Sequence, residues 1–214
     1  MPNPSELARM RRDYGAAGLS EADLAGDWHV QLGRWLGDAV RADLAEPNAM
    51  VLATADAEAA PSARTVLLRA CDQDGLVFYT NYGSRKGADL AANPRAALVF
   101  PWIGLSRQVV VSGTVSRVAP AESAAYFATR PRGSQLGAVA SPQSAVIADR
   151  RQLDDEWARL DAAHPDQVPM PVQWGGFRVA PVTVEFWQGR VDRLHDRLRY
   201  RRVADGWVIE RLAP

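Results

Sequence analysis

The sequence predicts a mainly β protein of the α+β class, an antiparallel barrel with flanking helices. Strand-like segments fill both halves of the chain and flank a helical insert, which is typical of antiparallel sheets and unlike a repeated βαβ unit. No glycine-rich dinucleotide fingerprint follows a predicted strand, so a Rossmann domain is not expected. At 214 residues the chain is long enough for one sizeable core, and a single domain over residues 1–214 is predicted.

The first half of the chain begins with an amphipathic helix and continues as short strands. Over residues 27–44, large apolar side chains such as Trp28, Leu32 and Trp35 recur at helical spacing and form one stripe. After Pro47 the pattern changes to short apolar runs separated by turn-rich segments. These runs predict strands at 49–55, 62–71, 76–80 and 95–102, the last so apolar that we expect both of its faces to be buried.

The second half contains the helical insert and a second set of strands. A strand at 108–118 alternates valines with polar residues, and Pro131 separates the two short helices that come next. The predicted helices lie at 120–129, 134–139 and 148–163, and the final strands at 175–179, 182–188, 194–203 and 207–212.

The segment at 78–87 is the most informative for function. An aromatic strand leads into an Asn/Gly turn that delivers Ser84, Arg85 and Lys86 to the start of a helix predicted at 84–93. Free N–H groups, a capping hydroxyl and two cations at a helix N-terminus form a site for a phosphate. Cations suit the other end of a helix dipole, so their position here indicates an anion. The alternative is a solvated turn with two surface cations.

Composition narrows the classes of partner. Acidic and basic residues balance at 25 each, so no overall field favours nucleic acid or an anionic membrane. Cys71 is the only cysteine, which excludes an internal disulfide, and with three scattered histidines no metal site is expected. The N-terminus lacks an apolar signal region and no apolar run is long enough to span a bilayer, so a cytoplasmic location is expected.

Strand periodicity isolates one large aromatic side chain. In the strand at 182–188, Val182, Val184 and Phe186 share the core face, so Trp187 points to the opposite, polar face. An indole in that position fits a subunit interface or a wall for a planar ligand. Partial exposure of a single tryptophan is the alternative.

The segment at 193–200 carries a row of basic residues. If it is extended, Arg193, His195, Arg197 and Arg199 share one face. Because like charges on one face repel each other, we expect an anionic group against at least part of that face. A satisfied structural role for His195 is the alternative.

Two further sets of cationic residues complete the candidates. Strict alternation places Arg64 and Arg69 on opposite faces of the second predicted strand, so they serve one cleft only across a bulge, or they serve different ligands. Tyr126, Arg130 and Ser134 recur at intervals of four, which is one helical face. Each arginine alone is consistent with an ordinary surface residue. Together the clusters exceed what one phosphate requires, and two phosphorylated ligands are predicted.

A series of ordered motifs links these candidates to a known family. They are RTVLLR (64–69), VFYTNYGSRKG (77–87), NPRAALVFPW (93–102), RQVVVSG (107–113), YFATRPRGSQLGA (126–138), SPQS (141–144), WGGFRV (174–179) and EFWQGRVDRLHDR (185–197). Over nearly the whole chain, the sequence resembles the pyridoxine (pyridoxamine) 5′-phosphate oxidases, flavoproteins with the FMN-binding split-barrel fold.

The resemblance implies FMN as cofactor and assigns residues by position. The cofactor residues are Arg64, Thr65, Val66, Leu67, Leu68, Arg69, Tyr79, Thr80, Arg85, Lys86, Gln108, Gln143, Ser144, Trp187 and Arg197. The substrate residues are Arg69, Tyr126, Arg130 and Ser134 around its phosphate, Arg193, Leu194 and His195 near its ring, and Arg11, Arg12, Asp13 and Tyr14 in a covering N-terminal segment. The family commonly has lysine where this chain has Arg69, and a guanidinium does not bind phosphate with the geometry of an ammonium.

The resemblance also implies a reaction and an assembly. The reaction is oxidation of pyridoxine 5′-phosphate or pyridoxamine 5′-phosphate by O2 to pyridoxal 5′-phosphate, with release of hydrogen peroxide and, from the amine, ammonia. Arg193 is expected to orient the substrate ring at C4′, His195 to assist proton movement, and Arg197 to act on the flavin. The assembly is a homodimer with FMN at the subunit interface, residues 1–26 as a mobile segment and residues 174–214 as a dimerisation and substrate region.

Two other functions stay open from the residues. One is a flavin- or deazaflavin-dependent reductase of the same fold that acts on another substrate. The other is a non-catalytic module that binds a flavin or pyridoxal phosphate. The substrate-side residues Arg130, Ser134, Arg193 and His195 argue against the module, since storage of a flavin does not require them.

Overall fold

The computed structural model describes residues 3–9, 14 and 18–214. The helices of these residues are α1 (Pro4–Arg9), α2 (Trp28–Arg41), α3 (Arg85–Ala92), α4 (Pro120–Thr129), α5 (Arg132–Ala140) and α6 (Arg150–Ala163). The strands are β1 (Ala49–Ala55), β2 (Pro61–Leu67), β3 (Ala70–Asp72), β4 (Gly75–Asn81), β5 (Arg95–Trp102), β6 (Arg107–Arg117), β7 (Trp174–Gln188), β8 (Asp196–Val203) and β9 (Gly206–Arg211). None of the described helices is both long enough and apolar enough to cross a membrane.

The described strands form one nine-stranded sheet. The order is β2-β1-β5-β6-β7-β4-β3, with β8 paired to β7 and β9 paired to β8. Pairing is antiparallel between β1 and β2, β3 and β4, β4 and β7, β7 and β8, and β8 and β9. The register places Val51 opposite Thr65 and Phe78 opposite Phe177. The predicted mainly β antiparallel fold with flanking helices is confirmed.

The chain divides into two compact units. The terminal unit comprises the described residues of Met1–Asn48 together with Leu98–Val111 and Val182–Pro214, and the central unit comprises Ala49–Ala97 and Ser112–Pro181. β5, β6 and β7 each begin in one unit and end in the other. The single domain over residues 1–214 stays a prediction.

The core of the terminal unit forms around α2. Trp28, Leu32 and Trp35 are buried, as their helical spacing predicted, and the ring of Trp35 meets Phe186 edge-on at 5.1 Å. Such edge-to-face pairs add to the free energy gained by burying the rings. The helix ends at Arg41, three residues before the predicted end, because Asp43 adopts a left-handed conformation with φ of 52°.

The core of the central unit joins the helical insert to the sheet. Phe127 of α4, Leu136 of α5 and Leu160 of α6 pack in one cluster with Trp174 at the start of β7. On β4, Leu76, Val77 and Phe78 are fully buried. This burial fixes the end of β4, where the chain turns into α3.

Three sequence-based predictions about strands were wrong in detail. The strand predicted at 62–71 is two strands, since β2 pairs with β1 whereas β3 pairs with β4. The strands predicted at 175–179 and 182–188 are one strand, β7, which pairs with β4 before Pro181 and with β8 after it. Pro181 lies between the stretch of β7 that pairs with β4 and the stretch that pairs with β8. In β5 alternate residues are buried, so only one face is covered within the chain.

Candidate functional site

A cavity of about 490 Å³ lies in the central unit. It is lined by Thr65, Val66, Leu67, Arg69, Tyr79, Thr80, Asn81, Lys86, Tyr126, Arg130, Ser134, Gly137, Ala138, Ser141, Gln143 and Trp174. Eight of the predicted cofactor residues and all four residues predicted around the substrate phosphate are in that set, Arg69 belonging to both. The structure therefore brings together segments that are far apart in the sequence.

The turn after β4 builds one end of the cavity. Asn81 accepts a hydrogen bond on Oδ1 from the Gly83 N–H at 2.7 Å, and its carbonyl accepts one from the Ser84 hydroxyl at 2.7 Å. Ser84 is the N-cap of α3, where its Oγ accepts from the Gly87 N–H. The predicted helix start and its serine cap are confirmed.

Lys86 is held by three oxygen atoms in this turn region. Its Nζ donates to Thr80 Oγ1 at 3.1 Å, Ser84 Oγ at 3.0 Å and Gln143 Oε1 at 2.8 Å. Burial, and secondarily the positive charge of Arg64, lower the pKa of Lys86 from 10.5 to about 8. Because neutral oxygens solvate the ammonium but do not balance its charge, the site favours an anion.

A second polar network lies beside Lys86. Arg64 donates from Nη1 to Thr54 Oγ1 at 2.7 Å and from Nη2 to Ser62 Oγ, and its Nη2 is 3.7 Å from Asp89 Oδ2. Burial alone would raise the pKa of Asp89, but hydrogen bonds from Thr54 and Ser62 and the charges of Arg64 and Arg85 hold it below its ordinary value. Asp89 is therefore a buried, ionised carboxylate.

Arg130 lies on an aromatic wall of the cavity. Its guanidinium is 4.9 Å from the centre of the Trp174 ring and 5.8 Å from that of Phe127. Its Nη1 is buried and has no hydrogen-bond partner among the described residues. Since an unpaired buried donor is costly, this atom is well suited to a ligand oxygen.

Stacked rings extend this wall. Tyr79 and Tyr126 stack at 4.0 Å, and Tyr79 and Trp174 at 5.5 Å. Burial, followed by the charge and hydrogen bond of Glu122, raises the pKa of Tyr79 to about 12, so its hydroxyl stays protonated at neutral pH. Arg69 lies over Tyr126 at 5.8 Å.

The break between β2 and β3 resolves the question of Arg64 and Arg69. Arg69 falls after β2 has ended at Leu67, and its N–H donates to the Val77 carbonyl at 2.8 Å. An interrupted strand, rather than a bulge within one, brings Arg69 to the cavity wall. Arg64 stays within β2 and is engaged by the network of Asp89.

The terminal unit contains several further candidates, including a cluster of three rings. Trp187 and His195 are 4.7 Å apart, and Tyr14 meets them edge-on at 5.7 and 5.6 Å. Trp187 points away from the buried Val184 and Phe186, as the alternation predicted, but Val182, which was predicted on the same core face, is 48% exposed. The Arg190 N–H donates to His195 Nδ1 at 3.1 Å, so in the neutral ring the proton lies on Nε2.

The condition that the basic segment is extended fails at its start, and the strand predicted at 194–203 begins two residues later. Residues Val191–Arg193 form a short 3₁₀ turn in which Arg193 has φ of 59°, and β8 begins at Asp196. The anion expected against the basic face is supplied within the chain. Arg197 pairs with Glu185 at 2.7 Å, and Arg199 pairs with Glu210 at 2.6 Å.

Other predicted residues lie outside the cavity lining. In the central unit Leu68 is buried, Arg85 is exposed at the start of α3, and Ser144 has φ of 76°. Gln108 and Leu194 belong to the terminal unit. Arg11, Arg12 and Asp13 lie outside the described residues.

Sequence reasoning missed several residues of the site. Asp89, Thr54 and Ser62 carry no motif, because their relation depends on three separate elements. Trp174 belongs to the WGGFRV motif, to which the resemblance assigns no role. One signal in the sequence does mark the site, since Lys86 is the only lysine in the chain. Among the described residues, no group of three or more His, Cys, Asp or Glu side chains is arranged to hold a metal ion.

Two family models match the sequence. One described as pyridoxamine 5′-phosphate oxidase matches residues 36–188, and one described as the pyridoxine 5′-phosphate oxidase C-terminal dimerisation region matches residues 174–214. A pyridoxine/pyridoxamine 5′-phosphate oxidase of Salinispora arenicola is 58% identical over 211 residues, which cover 97% of this chain and 96% of the relative. A protein of the same name from Nocardioides sp. is 54% identical, with 98% of each chain covered.

Solved structures share the fold. PhzG from Burkholderia lata, in complex with tetrahydrophenazine-1-carboxylic acid, matches with a TM-score of 0.89 at 30% identity, covering 95% of this chain and 100% of that one. A pyridoxamine 5′-phosphate oxidase-related, FMN-binding protein from Nostoc punctiforme matches with a TM-score of 0.71 at 18% identity, covering 90% and 100%. The second likeness concerns the fold alone.

Proposed function

Because the chain belongs to the pyridoxamine 5′-phosphate oxidase family, we propose that it oxidises pyridoxine 5′-phosphate or pyridoxamine 5′-phosphate to pyridoxal 5′-phosphate with FMN as cofactor. O2 is the electron acceptor, and hydrogen peroxide and, from the amine, ammonia are released. The cytoplasmic location expected from the sequence stays a prediction.

The observation that carries the proposal is one cavity lined by two cationic residues with different surroundings. Lys86 donates to Thr80 and Gln143, whereas Arg130 lies against Trp174 with an unpaired Nη1 among the described residues, and all of them line the same space. Two phosphomonoesters, one on the cofactor and one on the substrate, account for both cations.

The residues present fit the phosphate of FMN. Lys86 and Arg64 are positive and buried or half-buried, and the first turn of α3 adds N–H groups and Arg85. Burial, followed by the positive charge of Arg64, lowers the pKa of Lys86, and the three hydrogen-bond acceptors around its Nζ are neutral oxygens. A dianionic phosphate supplies the missing charge.

The chain positions the reactants, and the chemistry belongs to the cofactor. FMN, when bound, would supply the two-electron acceptor for oxidation of the substrate at C4′, with O2 as the final acceptor. Arg130, Ser134 and Tyr126 hold the substrate phosphate, which fixes the position of the ring. Arg193 orients C4′, and His195 carries a proton on Nε2 that it can exchange with the substrate oxygen or nitrogen.

We infer a homodimer from the dimerisation region. The match at 174–214 contains Trp187, Arg193, His195 and Arg197. We propose that these residues of one copy act on ligands held in the central cavity of the other. Oligomers are commonly symmetric, so two equivalent sites result.

Anaerobic mixing tests the proposed reaction. Purified holoprotein mixed with pyridoxine 5′-phosphate or pyridoxamine 5′-phosphate is expected to lose its oxidised-flavin absorbance, and admission of air is expected to restore it with formation of peroxide. A flavin that no phosphorylated B6 vitamer bleaches contradicts the oxidase and favours the binding module. Bleaching without reoxidation by air favours a reductase.

A substitution in the cavity tests the substrate assignment. We expect Arg130→Gln to raise KM about 10- to 100-fold, the effect of losing one or two charge-assisted hydrogen bonds. Arg132→Gln is the matched control, because Arg132 is two residues away but pairs with Asp161 at 2.6 Å outside the cavity lining. Equal KM values in the two variants would remove Arg130 from the substrate site.

A further inference from the structure

The carboxylate of Asp89 is buried beside the proposed flavin-phosphate site. It is only 5% exposed, and its Oδ2 accepts hydrogen bonds from Thr54 Oγ1 at 2.6 Å and Ser62 Oγ at 2.8 Å. Asp89 projects from α3, the same helix that carries Lys86, whereas Thr54 and Ser62 lie on β1 and β2. The carboxylate therefore joins the helix to two strands.

The two hydroxyls link Asp89 to Arg64 in a fixed direction. Each hydroxyl donates a hydrogen bond to Asp89 and accepts one from Arg64. No other polarity is available, because a carboxylate only accepts and a guanidinium only donates. Arg64 Nη1 also donates to the Leu52 carbonyl at 3.3 Å. Both terminal nitrogens of Arg64 are thus fixed within the protein.

The charges of this cluster match a phosphate monoester. Arg64, Arg85 and Lys86 are three formal positive charges that interact with one another or with Asp89. Asp89 contributes one negative charge, so three minus one leaves a formal charge of plus two. A phosphate monoester carries close to two negative charges at neutral pH.

We propose that Asp89 is a positioning residue that, through Thr54 and Ser62, holds Arg64 in the orientation needed to bind the phosphate of FMN. This inference rests on the proposed function. Asp89 does not contact the cofactor, and its effect acts through Arg64. We expect this positioning to favour FMN over riboflavin, because riboflavin has no phosphate for Arg64 to bind.

Two opposing effects of Asp89 make the proposal testable. A negative charge near the site repels phosphate, so its removal by itself would tighten binding. Loss of the fixed orientation of Arg64 weakens binding, because the guanidinium must then be ordered when the phosphate arrives. The paired, hydrogen-bonded state of Asp89 screens its charge, and we expect the loss of orientation to dominate.

The experiment is titration of the apoprotein with FMN and with riboflavin. We expect Asp89→Asn to raise the Kd for FMN at least about 10-fold and to change the Kd for riboflavin by less than about 2-fold. Asp72→Asn is the matched control, because Asp72 pairs with Arg178 at 2.5 Å in the same unit but outside the cluster. Asp72→Asn is expected to leave the Kd for FMN and the Kd for riboflavin unchanged.

A double-mutant cycle separates positioning from a general structural role. In an Arg64→Gln background, Asp89→Asn is expected to cause no further rise in the Kd for FMN, since the guanidinium that Asp89 positions is gone. Ser62→Ala removes one of the two bridging hydroxyls and disturbs the buried cluster less than Asp89→Asn does. If the Asp89→Asn protein does not fold, Ser62→Ala is the variant to titrate. Its expected effect is also confined to FMN.

The outcomes divide clearly. Unchanged or tighter FMN binding by both variants overturns the inference, and so does an equal loss of FMN and riboflavin. The inference is also overturned if the effects of Arg64→Gln and Asp89→Asn on the free energy of FMN binding are additive. Failure of the unsubstituted apoprotein to bind FMN contradicts the proposed function itself, whereas normal binding with indifferent variants contradicts only the role of Asp89.

Discussion

At the scale of single residues, Lys86 shows why one basic side chain is not equivalent to another. It is the only lysine, and the other 24 of the 25 Lys and Arg residues are arginines. The Nζ of Lys86 fits among three oxygens at 2.8 to 3.1 Å, a compact arrangement suited to a point charge. A planar guanidinium would need more space and a flat array of acceptors. The site therefore selects lysine on geometry.

The lowered pKa of Lys86 predicts how flavin binding depends on pH. With a pKa of about 8 in the apoprotein, the ammonium is mostly charged at pH 7 and mostly neutral at pH 9. Only the charged form attracts phosphate, and a bound phosphate raises the pKa. We therefore expect the Kd for FMN to rise with pH above 8, by up to about 10-fold per pH unit. Titration of the apoprotein with FMN at pH values between 6.5 and 9.5 measures this dependence of Kd on pH.

The variant Lys86→Arg provides the control for this dependence. Its guanidinium stays charged throughout the range, so the affinity for FMN is expected to be weaker but flat with pH. Riboflavin binding by the unsubstituted protein is likewise expected to be flat. A parallel rise in the Kd of riboflavin would show that another group, or unfolding, causes the dependence.

At the scale of elements, the start of α3 combines a structural cap with a binding site. Ser84 is fully buried, accepts from Gly87 N–H and Lys86 Nζ, and donates to the Asn81 carbonyl at 2.7 Å. Residues 78–86 could be interpreted from the sequence because strand, turn, cap and helix start are all local.

Removal of this cap is expected to affect stability and binding together. We expect Ser84→Ala to lower the free energy of unfolding by about 1–2 kcal/mol and to weaken FMN binding several-fold, because Lys86 loses one of its acceptors. Urea unfolding of the apoprotein and FMN titration measure the two effects.

The capping aspartate of α6 is the control. Asp149 accepts from Gln152 N–H at 3.2 Å at the exposed start of that helix. Asp149→Ala is expected to cost a similar or smaller free energy of unfolding while FMN affinity stays unchanged. Loss of affinity in both variants would mean that stability alone, and not the geometry around Lys86, governs binding.

The basic strand β8 shows the limit of reasoning from one element. The row of arginines correctly indicated that anions lie against it. The anions are Glu185 of β7 and Glu210 of β9, which antiparallel pairing places opposite Arg199. A strand pattern reveals an unbalanced charge but not whether a ligand or a neighbouring strand balances it.

At the scale of the whole molecule, the predicted site residues form two groups. The cavity group belongs to the central unit, and Trp187, Arg193, His195 and Arg197 belong to the terminal unit and to the matched dimerisation region. If each site takes its two groups from different copies, variants of the two groups must complement each other.

Mixed dimers test this arrangement. At limiting substrate, Arg130→Gln is expected to lower turnover about 10- to 100-fold, through its effect on KM, and Arg193→Leu about 10²-fold or more. After dissociation and random reassociation of the two variants, half of the dimers are mixed and one of their two sites is intact. We expect recovery of about a quarter of the unsubstituted activity. No recovery, despite mixed dimers detected by mass, would place both groups of a site in the same copy.

The sequence by itself determined the local features of this protein. The amphipathic stripe of α2, the capped start of α3, the alternation around Trp187 and the antiparallel mainly β class all depend on neighbours within a few residues. Ordered motifs then identified the family, since residues under a common chemical demand keep their spacing.

Only the tertiary structure decided which distant residues meet. It showed that β2 and β3 separate where pairing partners change, that β7 continues past Pro181, and that Arg193 lies in a turn. It also placed Asp89 against Arg64 across three elements. The physical reason is that pairing register and burial depend on contacts between segments far apart in the chain, and no local pattern encodes them.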